Sequence, residues 1–150
     1  MGRNTAVSLV SYSPVPGDDA DRLTKTLAKM TQHVSDAAAQ NADLVVFPEI
    51  CACLNASDTW TFETLDGPTL TAMAAAAQAH SVYVVVPQAI IEDGKRRNSS
   101  ILLDRSGTVV GIYHKNVPSH NELDMGIIPG TETPVFETDF GRLGLAICFD

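Results

Sequence analysis

An α/β fold with a mixed sheet is predicted by the order of hydrophobic segments along this chain. Strand-like runs alternate with helical runs as far as Pro87, and strand pairs joined by short glycine-containing turns follow. Composition agrees: 150 residues with 45% hydrophobic and 19% charged side chains suit one globular domain large enough to bury a core.

The elements follow in order. Ala6–Tyr12 is apolar and β-rich, a buried strand, and Pro14-Val15-Pro16-Gly17 breaks it. Asp18, Asp19 and Asp21 suit the positive end of a helix, on which Leu23, Leu27, Met30, Val34 and Ala38 share one face until Asn41 stops it. Asp43–Pro48 reads as a second buried strand, and Glu49–Glu63 as a mixed loop region. Asp66-Gly67-Pro68 starts a helix running to about His80, with Pro68 in its first turn. Val82–Pro87 is a third apolar strand, and Asp93-Gly94 a turn. Asn98–Asp104 and Val109–His114 flank Ser106-Gly107 as a hairpin. Pro118–Thr133 is a polar loop, after which Pro134–Thr138 and Leu143–Phe149 pair around Asp139–Arg142. The last strand has no helix after it to cover its sheet, so the sequence reads as cut off in mid-domain.

Several function classes are excluded. Ten basic against 18 acidic residues give a net charge of −8, which opposes non-specific nucleic-acid binding and docking on anionic membranes. The only compact basic cluster is Lys95-Arg96-Arg97. No apolar run approaches the ~20 residues of a membrane helix, and the first residues lack a signal core. Three cysteines, two of them in Cys51-Ala52-Cys53, are not a disulfide framework, and the expected location is cytoplasmic. The four histidines form no HExxH, and neither a serine elbow nor a phosphate-binding glycine loop is present, so no metal or cofactor is expected.

What remains is a cysteine, two carboxylates and a lysine. Cys148 closes an apolar strand, where it is either a nucleophile or a small buried hydrophobe. Glu49 follows the second strand, either as a base in a partly apolar site or as a solvated loop residue. Lys115 follows Val109–His114, either as an oxyanion donor or as a surface lysine. Glu122 is a loop carboxylate. Together they are the inventory for covalent acyl transfer without histidine. Trp60 and Phe62 read as a pocket wall or as packing, and Cys51 and Cys53 as packing near the site entrance.

Three strings in order, Val46-Phe47-Pro48-Glu49, Tyr113-His114-Lys115-Asn116-Val117-Pro118 and Gly144-Leu145-Ala146-Ile147-Cys148-Phe149-Asp150, resemble those of the nitrilase superfamily of carbon–nitrogen hydrolases. Asp66-Gly67-Pro68, Asn98-Ser99, Asp104–Gly111, Pro129-Gly130 and Phe136–Gly141 resemble further landmarks, so the likeness covers nearly the whole chain. It implies a Glu49–Lys115–Cys148 triad, with Glu122 as the family's second glutamate and Glu132 as the competing candidate. It implies that residues 1–150 are the N-terminal portion of a nitrilase-like four-layer α-β-β-α sandwich ending after the nucleophile strand. It also implies homo-oligomers assembled through a helical face, and hydrolysis of a small amide, carbamoyl compound or nitrile through a cysteine thioester, without a cofactor. An N-acyltransferase, an inactive binding copy of the fold and an unrelated flavodoxin-like domain are the alternatives, of which the last leaves the three ordered strings unexplained.

Overall fold

A computed structural model describes residues 4–13, 15, 21–52 and 60–150. Asp18, Asp19 and Cys53 lie outside the described residues. Five strands form one sheet in the order β1 (Val7–Leu9), β2 (Leu44–Val46), β3 (Tyr83–Glu92), β4 (Lys95–Leu103) and β5 (Val109–His114). The β1–β2 and β2–β3 pairs are parallel, and the β3–β4 and β4–β5 pairs are antiparallel. The mixed sheet predicted from segment order is therefore present.

Two helices, α1 (Arg22–Ala39) and α2 (Pro68–His80), cover one face. Met30 and Val34 of α1 and Met73 and Ala77 of α2 meet Val84, Val86, Ile101 and Leu103 in a dry cluster. Gln40 caps helix α1, and Asn41 turns the chain with φ 62°. Pro68 takes the first helical position of α2, as predicted.

The opposite face receives a hairpin of β6 (Val135–Thr138) and β7 (Gly141–Gly144). Phe136, Phe140 and Leu143 pack there on Leu44, Tyr83, Val85, Leu102 and Tyr113. Helices, sheet and hairpin thus stack as successive layers, the first three of an α-β-β-α order.

Four element predictions need correction. The first strand is only Val7–Leu9 and is not buried, with Val7 52% and Leu9 77% exposed, because it is an edge strand paired on one side alone. The third strand does not stop at Pro87 but continues to Glu92, where Asp93 (φ 49°) and Gly94 (φ 71°) close a tight hairpin onto β4. Pro87 is tolerated because its carbonyl points past the end of β2 to the Cys51 N–H, 3.1 Å away. Its missing N–H falls on that same side, so no bond to β4 is lost. The loop Pro118–Thr133 contains a short helix, α3 (His120–Asp124). The last predicted strand ends at Gly144, and Leu145–Ile147 lead out of it into a turn holding Cys148.

Candidate active site

The site lies on the hairpin face of the sheet. Side chains alternate along β4: Ile101 and Leu103 enter the helix-side cluster, Leu102 the other. Asn98 and Ser100 therefore share the face of Leu102. His114, opposite Ser99, turns to the helix side, where its Nδ1 meets Ser99 Oγ at 2.8 Å and its Nε2 meets Glu92 at 3.1 Å. Burial foremost holds its pKa below the ordinary histidine value.

Lys115 is fixed by its backbone. Its N–H extends the ladder by donating to Asn98 O at 2.9 Å, and its carbonyl accepts from Gly130 N–H at 2.8 Å. The side chain is buried, and Nζ donates to Glu49 Oε1 and Glu122 Oε2, both at 2.8 Å. Burial opposes its charge, but the bonds and charges of Glu122 and Glu49 outweigh burial and raise its pKa above the ordinary lysine value.

Glu122 is not a solvated loop carboxylate. It sits at the third position of α3 and is 3% exposed. Its Oε2 also accepts from Ser119 N–H at 2.7 Å, and its Oε1 from Asn98 Nδ2 at 2.6 Å. Burial pushes its pKa up, yet the donors of Lys115, Asn98 and Ser119 pull it below the ordinary carboxylate range. Glu132 does not compete for this place: it is exposed, and it is its main-chain carbonyl that meets Asn116 Nδ2 at 3.1 Å.

Glu49 stands three residues beyond β2. Its Oε1 takes both Lys115 Nζ and Asn98 Nδ2, the latter at 2.7 Å. Among the described residues, Oε2 has no donor. Cys148 is exposed and has φ 42°, a left-handed conformation rare for a non-glycine residue and of a kind that clusters at functional sites. Glu49, Lys115 and Cys148 together line a hollow of about 340 Å³ with Trp60, Glu122, Met125 and others. A second hollow of about 130 Å³, with Phe47 and Val85 in its wall, again joins Glu49 and Cys148. All four predicted site residues therefore converge. Trp60 lines the site, whereas Phe62 lies beneath the Arg96 guanidinium at 4.9 Å. The basic cluster is structural in the same way, since Arg96 and Arg97 donate to the carbonyls of Met125, Ile128 and Pro129.

Two contributors entered the sequence reading only as members of family-like strings, with no role given to them. Asn98 bridges the two glutamates. Asp150 accepts from Tyr113 Oη at 2.6 Å, from Ile147 N–H and Val117 N–H at 2.9 Å, and from Asn116 N–H at 3.0 Å. It thereby ties the Cys148 turn to the segment after Lys115. Burial opposes its charge, but these donors hold its carboxyl below the usual range. The Ser119-x-x-Glu122 spacing, a capping-box signature, was the available signal for α3. Asp150 was marked only as the last residue of the Gly144–Asp150 string, with nothing local to indicate its role.

The layered α/β sheet thus carries a buried lysine between two glutamates, in a hollow shared with an exposed cysteine of left-handed backbone. The profile of the carbon-nitrogen hydrolase family matches residues 7–150, and the chain belongs to that family. It is 28% identical over 151 residues to the glutamine-dependent NAD(+) synthetase of Acinetobacter baylyi, covering 96% of this chain and 27% of that protein. It is 26% identical over 162 residues to the aliphatic nitrilase of Rhodococcus rhodochrous, covering 96% and 43%. The crystal structure of an amidase from Nesterenkonia sp. superposes with a TM-score of 0.78 at 18% identity, covering 99% of this chain and 57% of that one, which shows the shared fold. The chain spans about half or less of the length of these curated relatives. Among the described residues, no helix is long and apolar enough to cross a membrane.

Proposed function

We propose that this site hydrolyses a non-peptide carbon–nitrogen bond, with a small amide or carbamoyl compound as substrate, through a thioester on Cys148. The observation that carries the reading is the division of labour between the two glutamates. Glu122 takes three donors and is held ionised, whereas Glu49 Oε2 has no donor among the described residues, and Glu49 lines the same hollow as Cys148. Glu49 Oε2 takes the thiol proton as sulfur attacks the carbonyl carbon. Lys115 has three N–H groups and spends two on the glutamates, leaving one for the developing oxyanion along with a backbone N–H after the nucleophile. Glu49 then gives its proton to the leaving nitrogen, ammonia or amine departs, and the same carboxylate draws a proton from the water that attacks the thioester and passes it to the Cys148 sulfur as the carboxylic acid leaves. No step calls on a metal or cofactor.

The amide reading is supported by the Nesterenkonia amidase, a mutant of which was crystallised with butyramide. Another mutant of that protein carries the acetamide moiety of fluoroacetamide on its active-site cysteine. Nitriles are the second substrate class, favoured by the aliphatic nitrilase relative. Ammonia release from butyramide and butyronitrile tests both. Cys148→Ala should abolish release while preserving the fold, and Glu49→Gln should slow alkylation of Cys148 at neutral pH. Ammonia release that survives Cys148→Ala removes the nucleophile assignment, and an unchanged alkylation rate removes Glu49 as its activator.

A further inference from the structure

Asn98 lies outside the triad and the second glutamate, yet it is the most enclosed polar group of the cluster, at 1% exposure. Its amide nitrogen has two hydrogens, and the two bonds it makes account for one each: 2.7 Å to Glu49 Oε1 and 2.6 Å to Glu122 Oε1. Its Oδ1 is buried with no partner among the described residues. Turning the amide over would set that oxygen against two carboxylates, so the charges on either side fix its orientation. The charge balance shows why such a group is needed. Lys115 supplies one positive charge against two carboxylates, and a pair of carboxylates sharing a site ordinarily drives one of them to take a proton. A neutral double donor offsets that repulsion without adding a second cation that would hold Glu49 as a permanent ion pair.

We infer that Asn98 is a positioning residue that holds Glu49 and Glu122 together as two carboxylates and fixes which oxygen of Glu49 is free to work as the base. The inference rests on the hydrolase reading above. Asn98 does not line the hollow that takes substrate. Its removal therefore acts on kcat through Glu49 and leaves KM nearly alone.

The test compares Asn98→Ala, which removes both donors, with Asn98→Asp, which keeps the shape but replaces the amide by a carboxyl. Ammonia release from butyramide is followed against pH in the whole protein, and the glutamate carboxyls are titrated by carbon-13 NMR. Asn98→Ala should lower kcat about 10–100-fold, the scale of a hydrogen bond to a charged group, with KM within about threefold. The acid limb of its rate profile and the Glu122 titration should both move upward by about one pH unit. Asn98→Asp should be weaker still at neutral pH and recover towards wild type as pH falls, because the protonated carboxyl donates again. That recovery is not expected of a merely structural residue. An unchanged kcat and acid limb in folded Asn98→Ala overturn the inference, as does a loss confined to KM. If Asn98→Ala does not fold, the direction of the Asn98→Asp pH dependence decides. If the wild-type protein hydrolyses neither amide nor nitrile, the hydrolase reading fails, and the Glu122 titration alone judges Asn98: a rise in its midpoint supports the bridge, and no change refutes it.

Discussion

Replacing Lys115 by methionine keeps the stem of the side chain and deletes its charge. In the wild-type protein Nζ sits 2.8 Å from an oxygen of each glutamate, with 2% of the lysine side chain and 4% of the Glu122 side chain exposed. The variant leaves two enclosed carboxylates facing each other with only the Asn98 amide between them. Removing one partner of a buried ion pair costs about 3–5 kcal/mol, and Glu49, whose side chain is 29% exposed, softens this towards the lower figure. A control is at hand in the Arg142–Glu137 pair, 3.4 Å apart with side chains 72% and 79% exposed, where Arg142→Met should cost well under 1 kcal/mol. Urea unfolding followed by far-UV dichroism and by the single tryptophan, Trp60 in the site wall, measures both. The sign with pH follows from the two shifts. Lys115, with its pKa raised, contributes fully below its unfolded value of about 10.4 and loses its contribution as pH rises through the folded value. Glu122, with its pKa lowered, contributes above its unfolded value of about 4.3 and loses its contribution as pH falls. The penalty of Lys115→Met should therefore be largest between about pH 6 and 9 and shrink towards pH 4, where a carboxyl takes the proton that replaces the missing cation. A loss below about 1 kcal/mol at pH 7, or one that does not change with pH, would refute the account of the cluster as a buried, charge-balanced unit.

Asp150→Ala removes one acceptor from four donors, among them the Tyr113 hydroxyl and three backbone N–H groups. It should cost roughly 2–3 kcal/mol in urea unfolding and slow the alkylation of Cys148, whose turn loses its anchor. A cost under about 0.5 kcal/mol, the range of ordinary surface changes, would show that Asp150 does not hold the turn. Gly130→Ala would place a Cβ 2.3 Å from the His114 carbonyl and 2.6 Å from Asn116 Oδ1. Since Gly130 N–H also donates to Lys115 O, the segment must shift away from the lysine, with a loss of about 1–3 kcal/mol in the urea midpoint and a fall in ammonia release. Wild-type stability and rate in Gly130→Ala would mean that the glycine has no part in seating Lys115.

The order of elements was legible because it depends on local signals. Apolar runs marked the cores of β2 to β6, Pro68 the start of α2, Asn41 the end of α1 and Asp93-Gly94 the tight turn. The failures are equally physical. Pro87 looked like a strand end, because a missing N–H matters only where a neighbouring strand would use it, and β2 stops before that point. Leu145–Ile147 looked like a strand, because an apolar run in an irregular segment, here buried only at Ile147, has the same composition as one in a ladder.

For the site, residue types at ordered positions proposed Glu49, Lys115, Cys148 and Glu122, and could do no more than offer Glu132 as a rival to the last. Which glutamate reaches Lys115 depends on α3 turning Glu122 inward, 7 residues along the chain from Lys115, while Glu132 is left in solvent. The roles of Asn98 and Asp150 depend on contacts with groups 24 to 49 and 3 to 37 residues away, respectively, and no sequence period encodes such separations. The sequence by itself determined the inventory of reactive groups and the layering of the fold, because hydrophobic period and turn chemistry are local. The tertiary structure alone decided which oxygen of which carboxylate is satisfied and which is left free, because burial and donor count at an atom are set by residues brought together from distant parts of the chain.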